Sequence, residues 1–308
     1  MTQLPLAATI AGMHYGEFIP PVVACAVYLV LYRRRARTLA REGRPVPRWR
    51  QLSFAGGALL AVAVQIGPAD TLADEVLFTH MLQHIIIGDV CSLFIVLGLT
   101  GPVMQPLLHI RATRALRTLS HPIVAVVLWA VDLYAWHLPI AYQLAIRIDL
   151  VHAAEHACFL WFGSLLWLAL IGPLPKPAWF KGWSEFGAIL AVRILGAILS
   201  NVLIWVQTVL YPVYKTSDAA RGLNPLSDQN AAGGVMMLEQ TILTIVLFAW
   251  LFYRWAQRQE RAQRLLDLAS ESGVELSEER AERAAYAGAD EHLRQRIIGA
   301  SADGGAER

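Results

Sequence analysis

Seven apolar segments, each close to the length that crosses a bilayer, constrain this chain more than any other feature. A helix needs about 20 apolar residues to span the hydrocarbon core, because it rises ~1.5 Å per residue. The segments are 16–33, 51–67, 76–98, 122–143, 151–172, 186–211 and 232–254. Inside a bilayer the backbone must satisfy its own hydrogen bonds, which favours helices. The sequence therefore predicts an all-α, polytopic membrane protein with about seven transmembrane helices.

Composition supports a membrane location and divides the chain once. Only 16% of the residues are charged, too few to cover the surface of a soluble domain of 308 residues. After Trp255 the chain becomes rich in charge. We expect a transmembrane domain over 1–255 and a charged amphipathic tail over 256–308 that lacks a core of its own. The lipid bilayer is the first expected partner, and no nucleic-acid partner is expected.

Positive charge is distributed unequally between alternate loops. The 33–50 loop holds eight Arg and residues 111–117 add three, whereas the alternate loops hold only Arg147, Lys215 and Arg221. Cytoplasmic loops of membrane proteins carry the excess of Lys and Arg. We therefore expect the N-terminus outside and the C-terminal tail in the cytoplasm.

Two apolar segments contain histidines in pairs. THMLQH and HAAEH each place two imidazoles four residues apart, and hence on one face of a helix. With the predicted orientation, these pairs and one histidine of a third segment share a layer near the outer surface. The five residues are His80, His84, His137, His152 and His156. Ionisable side chains in hydrocarbon are costly without partners. We interpret the layer as a metal or cofactor site, with hydrogen-bonded packing as the competing interpretation.

Three further charged residues fall within the apolar segments: Asp89, Asp132 and Arg193. We expect them to pair with one another or to form hydrogen bonds that fix neighbouring helices. A proton or ion path through the membrane is the alternative.

Several different short motifs surround the histidines and the connection between the last two apolar segments. THMLQH is followed by LGLTGP (97–102), and then come WHLPIAY (136–142) and HAAEHACFL (152–160). LYPVY (210–214) precedes NPLSDQNAAGGVMMLEQ (224–240).

In order and spacing, these motifs resemble the CtaG-type cytochrome c oxidase assembly factors associated with caa3 oxidases. THMLQH, WHLPIAY and HAAEHACFL are similar to that family's HM-x-x-H helix, its WH-x-P-x-x-Y helix end and its H-x-x-E-H-x-x-F helix, respectively. The last two are similar to its outer loop and last helix, although MMLEQ replaces a more usual Trp-containing run. The resemblance covers roughly residues 50–255.

The resemblance implies a maturation factor for haem–copper oxidase rather than an enzyme. Its implied task is to deliver copper to the copper–haem centre. Cytochrome c oxidase subunit I or its assembly intermediates are the implied partners. The implied location is the bacterial cytoplasmic membrane, in which the chain would be a multi-pass protein.

The donor types agree with this implication. Imidazole and thioether suit copper, whereas magnesium and calcium want oxygen ligands. We expect copper, as Cu(I), to be bound by the five histidines, with Met81 as a nearby thioether. Glu155 and Glu239 are expected to orient an imidazole or accept a proton. Asp228 and Gln229 are expected to gate the site or dock a partner at its outer mouth.

Two other classes of protein remain open. A membrane haem-b oxidoreductase would use histidines of neighbouring helices as axial ligands, although such proteins place ligand pairs at two depths and the histidines here share one. A metal or proton transporter would account for the intramembrane charges. Transporters commonly show internal repeats and midplane sites, and no convincing repeat relates the two halves of this sequence.

Overall fold

The computed structural model describes residues 15–109, 118–119, 121–174 and 176–305. These residues contain helices and no strand, which confirms the predicted all-α fold. The chain divides into two compact units, Met1–Thr244 and Ile245–Arg308. The division predicted at residue 255 stays a prediction.

The helices of the first half include three of fewer than ten residues. They are α1 (Tyr15–Arg41), α2 (Arg48–Ala63), α3 (Pro68–Glu75), α4 (Leu77–Gly98), α5 (Gly101–His109), α6 (Pro122–Trp136) and α7 (Pro139–Arg147). Helix α4 contains a π-helical turn at Ile86–Cys91.

The helices of the second half include the longest one described, which has 47 residues. They are α8 (Asp149–Leu170), α9 (Trp183–Trp205), α10 (Lys215–Ala220), α11 (Pro225–Glu271), α12 (Glu278–Ala287) and α13 (Asp290–Gly305).

Four to six helices of the described residues are candidates to cross a membrane. Helices α4, α8, α9 and α11 are each long and apolar enough alone, and the bent pairs α2–α3 and α6–α7 reach the same length together. Helix α1 contains the predicted segment 16–33 but is not among these candidates. The count of seven is therefore not confirmed. The orientation of the termini stays a prediction, and the arginines of 111–117 lie outside the described residues.

Proline explains both bends. The chain turns by 56° between α2 and α3, where Gly67 has a φ of +69° and Pro68 begins the second helix. It turns by 70° between α6 and α7, where Leu138 is extended before Pro139. Proline lacks an N–H and disfavours helical backbone in the residue before it, so a helix ends there and a new one can begin.

Helices α4 and α8 come close together because α8 carries a glycine, Gly163, at the contact. A Cβ atom at Gly163 would lie 2.0 Å from the carbonyl oxygen of Gly88. Gly88 belongs to the π-helical turn, whose altered hydrogen bonding leaves carbonyls in need of donors. The indole Nε1 of Trp167 supplies one by donating to the Asp89 carbonyl at 3.1 Å. Small residues at such contacts are the usual way for membrane helices to pack tightly.

A partly buried cation joins α9 to α11. The guanidinium of Arg193 donates to Gln240 Oε1 at 2.9 Å and to Thr241 Oγ1 at 2.8 Å. Next to it, a Cβ at Gly196 would collide with the Gln240 side chain. The amide and the hydroxyl therefore accept hydrogen bonds from a charge that lies between two apolar helices.

The unit Ile245–Arg308 has an apolar core that the sequence was not expected to provide. Its buried residues are Ala262, Leu265, Ala269, Ala281, Ala285, Leu293 and Ile297. They recur at spacings of three and four residues, which places them on one face of each helix. Four of the seven are alanines, whose small side chains let helices approach closely. The expectation that the tail lacks a core was wrong, because it was based on the total number of apolar residues in the tail and not on their spacing along the helices.

The predicted orientation can be tested by labelling. In a background without the native cysteines, we expect Lys215→Cys to react with a membrane-impermeant thiol reagent on intact cells, because it lies in an outer loop by the distribution of charge. Arg44→Cys should react only after permeabilisation. Both positions are exposed. Labelling of Arg44→Cys on intact cells would invert the topology.

The contact between α4 and α8 gives a second prediction. Gly163→Ala should lower the free energy of unfolding by about 1–3 kcal/mol, because the added methyl forces the helices apart. Gly187→Ala is the matched control, since nothing lies within 4 Å of a Cβ there. Thermal unfolding in detergent measures both, and equal midpoints for the two variants would contradict the close contact.

Candidate metal centre

Four imidazoles converge at one end of α4 and α8. His80 and His84 come from α4, and His152 and His156 from α8. One ring nitrogen of each lies within 4.8 Å of those of the other three. All four side chains are buried. These four residues are called the four-histidine cluster below.

The local sequence explains why the rings meet. Both pairs lie within the first two turns of their helices, and the spacing of four residues puts each pair on one face. The ring centroids of His80 and His152 are 5.2 Å apart with the rings stacked, and those of His84 and His156 are 5.2 Å apart at an angle of 83°. The faces therefore oppose each other directly, without intervening side chains.

Most ring nitrogens of the cluster lack hydrogen-bond partners among the described residues. Both nitrogens of His80 and of His84 are unpaired, as are Nε2 of His152 and Nε2 of His156. The Ala73 carbonyl lies near His80 but outside hydrogen-bond geometry. Buried polar atoms without partners typically cost about 1–3 kcal/mol each. One nitrogen of each ring has a lone pair, so four of these six atoms can act together as metal ligands.

His137 lies near the cluster but outside it. Its Nδ1 donates to the Leu133 carbonyl at 2.7 Å, while its Nε2 is buried without a partner. The ring of Phe159 contacts both His137 and His84, with centroids 6.2 and 4.6 Å away. The structure thus brings together four of the five predicted histidines and separates the fifth by an aromatic ring.

Glu155 is the acidic residue of the site. It is fully buried, its carboxylate lies 3.8 Å from Nε2 of His84, and it accepts no hydrogen bond from the described residues. The predicted thioether, Met81, is buried in the same turn of α4. Glu239 is only half-buried in α11, where it interacts electrostatically with Asp89 and Arg193 rather than with a histidine.

Asp132 completes the set of intramembrane charges. It is buried in α6 and interacts electrostatically with Glu155. It also lies against the Trp136 indole.

Asp228 and Gln229 hold the chain in place around the connection between α9 and α11. The carboxylate of Asp228 accepts hydrogen bonds from the backbone N–H groups of Leu77 and Phe78 at 2.7 and 3.0 Å. It therefore caps the first turn of α4 from a distant part of the chain, as N-cap side chains do locally. The amide of Gln229 accepts from the Leu210 N–H at 2.8 Å. Asp228 thus positions the helix that carries His80 and His84, while Gln229 holds the end of α9 and the loop that follows it.

Three buried tyrosines cover the cluster and were missed by sequence reasoning. Tyr142 and Tyr214 share a hydrogen bond between their hydroxyls at 2.9 Å, and their ring centroids lie 5.2 and 6.4 Å from that of His80. The hydroxyl of Tyr211 donates to the His137 carbonyl at 2.8 Å. Tyrosines near the ends of membrane helices usually lie at the lipid interface, so only their place in the motifs LYPVY and WHLPIAY could have signalled this role.

Gln65 was also missed. Its Oε1 lies 3.1 Å from Nδ1 of His156. It occupies the bend between α2 and α3, far from the histidines in sequence, and a single glutamine at the end of an apolar segment carries no signal of its own.

The fold and the site define a helical membrane protein with a buried cluster of imidazoles near one end of its spans. The family model of the cytochrome c oxidase caa3 assembly factors (Caa3_CtaG) matches residues 26–258. The chain belongs to this family, which confirms the resemblance. Searches of the curated proteins and of the solved structures gave no match.

The segment that carries Tyr214 is attached through a pair of carboxyl groups. Asp218, in α10, is 1% exposed and hydrogen-bonds to Asp228. Burial, together with the neighbouring carboxylate of Asp228, raises the pKa of Asp218 from 3.8 to about 6. Asp218 is therefore protonated below about pH 6, where it can donate to Asp228.

This pair predicts a pH dependence. The folded protein binds the proton of Asp218 more tightly than the unfolded chain, so the stability contributed by the pair falls as pH rises from about 4 to about 6. Asp218→Asn keeps a donor and removes the charge. Hydrogen exchange of residues 206–224 should match wild type at pH 4 and be slower than wild type at pH 7.5. Asp267→Asn in the tail serves as control, and equal exchange of wild type and Asp218→Asn at both pH values would contradict the raised pKa.

Proposed function

We propose that this protein binds copper, as Cu(I), in the four-histidine cluster and helps to insert it into the copper–haem centre of cytochrome c oxidase subunit I. Membership of the assembly-factor family supports the oxidase as partner and a role other than catalysis. The protein would act as a copper chaperone in the bacterial cytoplasmic membrane. Copper would be its cargo, which must be both bound and released.

The convergence of unpaired imidazole nitrogens carries this proposal. Nitrogen ligands lie about 2.0–2.1 Å from a tetrahedral metal such as zinc, and hence roughly 3–4 Å from one another. The cluster nitrogens, all within 4.8 Å of one another, need only small rotations to reach that geometry. No rearrangement of α4 or α8 is required.

The donor set and the family together favour copper. Imidazole suits copper, zinc, iron and nickel, so ring nitrogens alone do not choose among these metals. Magnesium and calcium are disfavoured, because they want oxygen ligands and the cluster offers four nitrogens. Because the family assembles an oxidase that contains copper, copper is the metal that we propose as the cargo.

Contacts among the rings argue for a single ion rather than haem. Axial histidines must stand on opposite sides of a macrocycle. Here the ring centroids of His80 and His152 are only 5.2 Å apart, as are those of His84 and His156. No gap for a macrocycle separates the two pairs.

His137 is the proposed auxiliary ligand. Its Nε2 is free, buried and close to the cluster across Phe159. A fifth imidazole near four others offers a place for the ion to move during release, because exchange of one ligand at a time avoids a bare ion in hydrocarbon.

The cluster predicts the behaviour of ligand variants. His84→Ala and His156→Ala should insert normally yet lose copper, measured as copper per protein after purification. The partner oxidase should then contain its haems while lacking the copper of the copper–haem centre. The double variant should be little worse than either single one, because the four rings act as one unit. His292→Ala, in the exposed end of the chain, should retain full copper.

Different outcomes would exclude the proposal or its metal. Full copper binding and normal oxidase activity in the double variant would show that the histidines only pack the helices. Zinc in place of copper in protein purified from cells would exclude copper as cargo. A Soret band that disappears in the same variants would identify a haem site instead.

A further inference from the structure

We propose that Gln65 is a positioning residue that holds His156 with its Nε2 lone pair directed at the bound metal. This inference rests on the proposed copper site and adds a residue outside all of the family-like motifs of the sequence. It concerns one hydrogen bond, from Nδ1–H of His156 to Oε1 of Gln65, at 3.1 Å.

The amide of Gln65 is oriented by a second contact. Its Nε2 donates to the carbonyl of Ala61, one turn earlier in α2. Because the amide nitrogen is engaged there, the end of the side chain that faces His156 is the carbonyl oxygen. An amide oxygen only accepts, so Nδ1 of His156 must carry the proton. Nε2, which has no other partner, is then the nitrogen with a free lone pair.

The backbone around Gln65 is tied to the helix that carries the other histidine pair. The side-chain amide of Gln83, in α4, donates to the Val64 carbonyl at 2.8 Å and to Asp70 Oδ1 at 3.0 Å. Gln83 is itself buried and directly precedes His84. The bend between α2 and α3 is thus fixed to α4, and Gln65 reaches from this bend to a ring of α8.

His156 is distinct within the cluster in this respect. Among the described residues, no other ring of the cluster forms a hydrogen bond with a side chain. Metal-bound imidazoles almost always donate their second N–H, and that donation fixes the tautomer, the ring orientation and the basicity of the ligand nitrogen. The bend between α2 and α3 therefore supplies a side-chain acceptor for the second N–H of a cluster histidine, which α4 and α8 do not provide themselves.

Two substitutions separate positioning from packing. Gln65→Leu keeps a similar size and removes the acceptor, so the affinity for Cu(I) should fall about 10–100-fold, the range seen when such partners are removed. Gln65→Glu restores an acceptor, and its affinity should equal or exceed that of wild type. A residue that merely filled space would show the opposite order, because a buried carboxyl is harder to accommodate than a leucine.

The test uses the full-length protein in detergent, titrated with Cu(I) against a coloured chelator. Gln143→Leu is the matched control: its amide also donates to the carbonyl four residues earlier, but it lies away from the cluster. It should bind like wild type. Equal affinities of Gln65→Leu and wild type, or weaker binding by Gln65→Glu than by Gln65→Leu, would overturn the positioning role.

A second measurement works without metal and keeps the two proposals separate. In protein labelled with ¹⁵N-histidine, chemical shifts should show the Nδ1–H tautomer of His156 in the wild type and a mixture in Gln65→Leu. The Nε2–H tautomer in the wild type would overturn the inference even if copper binds. Absence of Cu(I) binding by a wild-type protein that shows the expected tautomer would instead refute the proposed function alone.

Discussion

The contact of Gly88 with Gly163 sets the distance on which the candidate site depends. It allows the backbones of α4 and α8 to approach until a carbonyl occupies the place where a Cβ would stand. Because the histidine pairs lie toward the N-terminal ends of the same helices, this spacing puts four rings in mutual contact. A side chain any larger than hydrogen at residue 163 would open the cluster. The π-helical turn that contains Gly88 is part of the same arrangement. Within this turn, the Asp89 carbonyl accepts a hydrogen bond from the Trp167 indole.

Residues near the histidines in sequence were the easiest to predict. The spacing of four residues in THMLQH and HAAEH fixes which face each ring occupies, and the fold places both faces opposite each other. The partners of these rings come from distant segments, and no local pattern announces them. Gln65 lies 91 residues from His156, and its role depends on a bend that a glycine and a proline create. The same bends leave four to six candidate spans among the described residues, because the length of an apolar segment does not reveal a break within it.

Hydrogen bonds from distant parts of the chain replace the caps that the helix ends lack. The first turn of α4 has no capping side chain of its own, and Asp228 supplies one from the beginning of α11. Sequence reasoning expected Asp228 and Gln229 at the mouth of the site, and the structure gives them bonds to backbone there. In the core of a bilayer, an unpaired backbone N–H cannot form a hydrogen bond with water instead. Polar residues such as Asp228 and Gln229, which the sequence suggested as a gate, can therefore act by stabilising the backbone.

The balance of charge bears on the oxidation state of the proposed cargo. Four neutral imidazoles leave the charge of an ion uncompensated, and a buried net charge is costly in a medium of low dielectric constant. Glu155 is fully buried, 3.8 Å from His84, and has no hydrogen-bond partner among the described residues. One ionised carboxylate neutralises Cu(I) completely, whereas Cu(II) or Zn(II) would leave one positive charge beside the apolar faces of α4 and α8. A neutral buried site costs less than one with a net positive charge, so Glu155 favours Cu(I) over a divalent ion as the proposed cargo.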